Sequence, residues 1–196
     1  MKQVRILAKA TQVQLYSDMK IPTRTKALLM WRKFQKRKIE PIPTLSLSQD
    51  GERLNALLIF LPDNIEDARI MSHFIKSLTG NVAVHFICHE KVKHVFPNEL
   101  QGNIITFSDK EITWWGIISD NSFRNRIEKI SIDALIDLNL KDYFLYHELS
   151  CSIKSPLKIG FNTYGSDDYY NIIIDHQKGA FLEKSFDNLN KILGLI

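Results

Sequence analysis

The chain has 196 residues, 44% of them hydrophobic and 24% charged, with 8 Gly and 6 Pro. That size and balance fit one domain with an appendage and exclude pervasive disorder. No apolar run approaches the ~20 residues that cross a bilayer, the N-terminus lacks a signal-peptide pattern, and Cys88 and Cys151 alone make no disulfide framework. A cytoplasmic location follows as the expectation.

The net charge of +4 conceals an asymmetry. Residues 1–40 carry 11 Lys or Arg against Asp18 and Glu40, a net of +9, so residues 41–196 hold 15 basic and 20 acidic side chains, a net of −5. The basic character belongs to an N-terminal arm. Within it TRTKALLMWRKFQKRK predicts a helix from Thr23 to Lys38, with Leu28, Trp31 and Phe34 near one face. Arg32, Lys33, Lys36, Arg37 and Lys38 crowd the other side. A basic face of this kind is a solvated surface, a protein contact, or an attachment to an anionic inner-membrane face, where each cation adds about 1 kcal/mol. Nucleic acid ranks last, because no recognition motif accompanies the charge.

PIPTLSLSQDGERL then reads as a linker, which divides the chain into an arm at 1–50 and a domain at 51–196. ALLIFL predicts a first strand buried on both faces, and Asn64–Leu78 a helix with apolar residues at helical spacing. VAVHFIC and NIITF predict two more strands, and Ser122–Lys129 a short helix. DALIDL is a fourth strand, Asp142–Lys154 a helix, LKIGF a fifth strand and YYNIIID a sixth, with a closing helix over Gly179–Leu195. Strands separated by helical stretches imply right-handed crossovers. The expected fold is a three-layer Rossmann-like α/β domain, its sheet mainly parallel and about six strands wide.

Open parallel sheets bind ligands beyond the carboxyl ends of their strands. The first loop supplies Asp63, Asn64, Glu66 and Asp67, the fourth Asn139, Lys141 and Asp142, and the fifth Asn162, Thr163 and Tyr164. LPDNIEDAR contains no glycine and no GxxxxGK[ST] loop occurs, so a dinucleotide or P-loop site is not expected, and no cofactor is called for. Asp63 with Glu66 three residues on fits a helix cap, and Asp67 fits the first turn of that helix. Cys88, His89 and His94 match no zinc spacing, so no metal is expected. Cys88 reads as a strand-end core residue and these histidines as surface groups. Trp114 and Trp115 in EITWWG could stack against a sugar or base, but packing under a loop, with one indole buried, is the expectation.

DALIDLN, a helix and then SPLKIGFN resemble the acceptor-side half of glycosyltransferase family 9, the heptosyltransferases. ALLIFLPDNIEDARIMSHFIKSL follows that family's opening strand and helix. The resemblance covers residues 55–165. It implies a sugar or nucleotide-sugar ligand, and it makes Asp67 the counterpart of the family's catalytic base. The Gly-Asp pair of the family is Glu66-Asp67 here, and no second, donor-binding domain follows. The resemblance therefore implies a non-catalytic binding or scaffold module, with the alternative of a hexosyl or heptosyl transferase that borrows a donor-binding chain. EITWWG, IDALIDLN, SCSIKSPLKIG and GAFLEKSFDNLNKIL also stand in the order seen in short Bacteroidetes proteins of no assigned activity that open with a basic helix.

Overall fold

A computed structural model describes residues 54–75, 82–118, 121–141, 143–163, 165–175 and Leu189. The basic segment with Arg32, Lys33, Lys36, Arg37 and Lys38, the boundary expected at residue 51, Asp142 and Tyr164 lie outside the described residues, as does the closing helix apart from Leu189.

Six strands form one sheet: β1 (Ala56–Phe60), β2 (Ala83–His89), β3 (Ile104–Phe107), β4 (Ala134–Asp137), β5 (Leu157–Phe161) and β6 (Ile172–Ile174). Their order is β3-β2-β1-β4-β5-β6, and every pairing is parallel. Among the described residues three α-helices accompany them: α1 (Ile65–Ile75), α2 (Asn121–Glu128) and α3 (Phe144–Ser152). The Rossmann-like three-layer fold expected from the strand-helix alternation is the fold observed.

The period-two geometry of a strand sorts its side chains between the two faces. Leu57, Ile59 and Leu61 pack with Ala68, Met71 and Ile75 of α1 and with Leu189. Leu58 and Phe60 point the other way, toward Phe123 and Ile127 of α2, Tyr146 and Leu149 of α3, and Ile153 just after it. A strand apolar at every position is therefore what a sheet covered on both sides requires. Each fully buried side chain of this size contributes about 1.5–3 kcal/mol.

Two features differ from the sequence reading. The connection from β2 to β3 is built from two 3₁₀ segments, Glu90–Val95 and Asn98–Asn103, and Val92 and Phe96 pack into the core beside α1. The cap of α1 is Asn64, not Asp63. Asn64 Oδ1 accepts from Glu66 N–H at 3.0 Å, and its carbonyl accepts from Ala68 N–H at 2.8 Å. Glu66 and Asp67 fall in the first helical turn, where their charge suits the helix dipole. Among the described residues, no helix is long and apolar enough to cross a membrane.

Candidate ligand-binding site

The strand order reverses between β1 and β4, so the loops leaving them diverge, and the crevice position beyond their carboxyl ends is where open parallel sheets take ligands. Two carboxyl groups stand there. Asp137 is the last residue of β4 and only 4% exposed. Its Oδ1 accepts from the Asn139 backbone N–H at 2.9 Å and from Asn139 Nδ2 at 2.7 Å, and its Oδ2 accepts from the Tyr170 hydroxyl at 2.5 Å. Burial, helped by the nearby Asp63 charge, raises the Asp137 carboxyl to about 6 against the pull of these three donors.

Asp63 follows β1, and its Oδ1 accepts from the Tyr146 hydroxyl at 2.5 Å. Burial pushes its carboxyl up as well, opposed by the Tyr146 bond and by the fields of His89 and Lys91. The two phenols rise well above their usual range, through burial first and then the neighbouring carboxylates. Each Asp–Tyr pair thus ties a strand end to a distant segment, β1 to α3 and β4 to the approach to β6.

Tyr170 reaches Asp137 by lying across β5 at Gly160. A Cβ on Gly160 would stand 2.5 Å from Tyr170 Cδ2, so the ring occupies the space a side chain would take. This is the physical reason for glycine in LKIGF.

The end of β2 carries a further cluster. His89 is 4% exposed, its Nδ1 accepts from Lys91 N–H at 3.1 Å, and Nε2 therefore donates to Asp109 Oδ1 at 3.1 Å. Lys91 Nζ bonds the other Asp109 oxygen at 2.8 Å, which holds that carboxyl below its usual range. The reading of His89 as a surface group is thus corrected: it is a buried cap for the segment after its own strand. His94 is exposed, and Cys88 is a sealed core residue whose thiol burial pushes up to about 12. His147 of α3 is buried as well, stacked on Tyr169 at 4.7 Å and edge-on to Tyr170, and burial lowers it to about 4.

Of the residues singled out from sequence, Asp63 and Asn139 come together at the β1/β4 crevice through Asp137 and Tyr146. Asn139 is 3% exposed, and its Oδ1 has no hydrogen-bond partner among the described residues. Asp67 stands half-buried at the start of α1, close enough to Tyr143 to help raise its phenol, after burial and Asp63. Lys141 is exposed. Asn162, at the tip of β5, is also exposed and donates from Nδ2 to Asp175 Oδ1 at 2.7 Å, which joins the β5 and β6 ends and leaves it one strand away from β4. Sequence reasoning missed Asp137, Tyr146 and Tyr170. A carboxylate closing an apolar strand, with Asn two residues on, was the one local signal for Asp137.

The tryptophan expectation is also corrected, because neither indole is buried. Trp114 is 63% exposed, and Trp115 is half-buried against it with ring centroids 4.0 Å apart.

A crevice so built offers amide, hydroxyl and carboxyl groups on a rigid frame. The start of α1 is an unfavourable seat for phosphate, since the Asn64 carboxamide and two carboxylates already occupy it. Among the described residues no three His, Cys, Asp or Glu side chains gather to hold a metal ion.

Comparison with curated proteins found no match, and comparison with solved structures found none. The model of a family of unknown function, DUF6913, matches residues 30–196, and the chain therefore belongs to that family.

Proposed function

We propose that this chain is a non-catalytic binding module that takes a neutral, hydroxyl-rich ligand of the sugar class in the crevice between β1 and β4. The observation that carries the reading is Asp137. The carboxyl at the switch in strand order is sealed, and three protein donors occupy both its oxygens, so it frames the crevice and offers no base to a substrate. Asp63 is similarly tied through Tyr146. Asn139, Thr163 and Asn162 supply the kind of planar amide and hydroxyl groups that pair with sugar hydroxyls. The resemblance to the acceptor half of family 9 glycosyltransferases supports the ligand class. The carboxylates at the start of α1 disfavour a nucleotide diphosphate in this crevice.

Thermal-shift titration of the full chain with neutral mono- and oligosaccharides tests the reading, since a ligand that binds only the native state raises its melting temperature. The expected result is a concentration-dependent rise that the K141A/N162A variant reduces. No rise with any sugar, or an equal rise in the variant, overturns the binding claim. Release of a nucleoside diphosphate from nucleotide-sugars by the chain alone overturns the non-catalytic claim.

The transferase alternative retains one observation, the proximity of Asp67 to Tyr143 at the mouth of the crevice. It requires D67N to abolish sugar transfer in the presence of a donor-binding chain.

A further inference from the structure

The loop from β3 to α2 carries a feature that the crevice does not use. After Ser108 the chain makes a 3₁₀ turn, Asp109–Glu111, and then a tight hairpin closed by an antiparallel bridge between Ile112 and Ile118. Thr113 N–H donates to the Ile117 carbonyl at 2.9 Å, Gly116 N–H to the Thr113 carbonyl at 2.8 Å, and Thr113 Oγ1 to the Ile117 carbonyl at 3.0 Å. Gly116 takes a positive φ of 81°, which glycine alone adopts without strain. The tip of this braced turn is Trp114-Trp115.

An exposed tryptophan is costly to leave in water and is over-represented where proteins bind. Trp114 is the most exposed large hydrophobic side chain among the described residues. Its ring rests on Trp115, and the bonds of the turn brace the backbone that carries both, so little backbone freedom is lost when a ligand stacks on them.

The position and charge of the turn narrow the ligand. All six strands are parallel, so the loop after β3 leaves the same edge of the sheet as the loops of the β1/β4 crevice. Asp109, at its start, is bonded to His89 at the end of β2. β3 lies two strands from β1, about 10 Å at the usual inter-strand spacing. Residues 108–126 carry three basic and three acidic side chains. One of those cations is paired, since Arg126 meets Glu111 at 3.4 Å, and the nearby Lys91 meets Asp109 at 2.8 Å. Binding sites for single-stranded nucleic acid pair aromatic platforms with a positive groove, and anionic membranes need an excess of cations. Neither condition is met here.

We infer that the Trp114–Trp115 turn is an aromatic platform for the face of a sugar ring, and that it extends the crevice into a subsite for a neutral oligosaccharide. The inference rests on the sugar-binding reading for its ligand class. An oligosaccharide spans the rim from β1 to β3, with one ring stacked on Trp114 and another donating hydroxyls to the crevice.

The test uses the full chain carrying W31F, so that emission reports only Trp114 and Trp115, titrated with cellohexaose, maltohexaose and chitohexaose. The expected result is a blue shift and quench with at least one of them, and a loss of affinity of about tenfold or more in W31F/W114A, the size expected for one stacked ring. W114A should leave the melting temperature unchanged, because the side chain is exposed. Binding lost in W31F/W114A but kept in W31F/K141A/N162A upholds the platform and overturns the crevice reading. Binding lost only in W31F/K141A/N162A overturns the platform and leaves the crevice. An unchanged emission with all three sugars overturns the platform, as does a quench obtained only with an oligonucleotide or an anionic vesicle.

Discussion

Replacing Gly160 by alanine probes the brace that holds the crevice. The new Cβ would stand 2.5, 2.6 and 2.9 Å from Cδ2, Cε2 and Cγ of Tyr170, well inside ordinary carbon–carbon contact. Tyr170 is 3% exposed and packed in the core, so the ring has no free volume into which to retreat. Overpacking of this kind costs about 1–3 kcal/mol. A ring displaced by about an ångström also stretches the 2.5 Å bond to Asp137, and a bond to a charged group is worth about 1.5–3 kcal/mol. The two losses overlap, and a total of about 2–4 kcal/mol is expected. Equilibrium denaturation in urea at neutral pH measures it, with an unchanged m-value as the control for an intact fold. A double-mutant cycle with Y170A assigns the cause: without the ring, the added methyl should cost less than about 0.5 kcal/mol. A cost below that in the parent protein, or an equal cost in the Y170A background, refutes the claim that Gly160 exists to seat Tyr170.

Other consequences are equally direct. The Asp137 carboxyl is raised to about 6, so its contribution to stability is full below its unfolded value of 3.8 and is lost as pH rises through 6. His147 is lowered to about 4, so its contribution is full above 6.5 and is lost as pH falls toward 4. Each amounts to about 3 kcal/mol and the two oppose one another between pH 4 and 6. D137N should therefore gain stability relative to the parent as pH rises across that window, by about 1.4 kcal/mol per unit; parallel profiles would refute the assignment. In the native protein a maleimide should label Cys151, which is exposed, and spare Cys88, which is sealed and has its thiol raised to about 12. Equal labelling would contradict the burial. Finally, we propose that the basic segment attaches to anionic membranes: full-length protein should sediment with phosphatidylserine vesicles, and charge reversal at Arg32, Lys33, Lys36, Arg37 and Lys38 should abolish it. Equal sedimentation of both would end that proposal.

The sheet was legible in the sequence because each strand is a short apolar run bounded by polar residues. ALLIFL, DALIDL and LKIGF read as buried strands on composition alone, and parallel order followed from the helices between them. The site was legible only as a set of loops. Asp63 was picked out, but its place as a helix cap belongs to its neighbour Asn64, a one-residue error that hydrogen-bond geometry alone resolves. Its partner Tyr146 lies 83 residues away, and the partner of Asp137 lies 33 away. No local pattern encodes such pairings. His89 was misjudged because a polar residue ending a strand reads as surface, whereas here Asp109 and the Lys91 amide satisfy both ring nitrogens and let it be buried. The tryptophan pair erred in the opposite direction: one indole is expected to be buried, and a turn whose bracing is visible only in three dimensions leaves neither of them so.

An NMR titration of the full ¹⁵N-labelled chain with the neutral sugars and, separately, with nucleotide-sugars tests the central claim most directly. The account predicts that a neutral sugar shifts the side-chain amides of Asn139 and Asn162 and the backbone amides of Asp63, Asn64 and Thr163, with the sugar recovered unchanged. Shifts that avoid these residues, or shifts produced only by a nucleotide-sugar that is turned over, would contradict it.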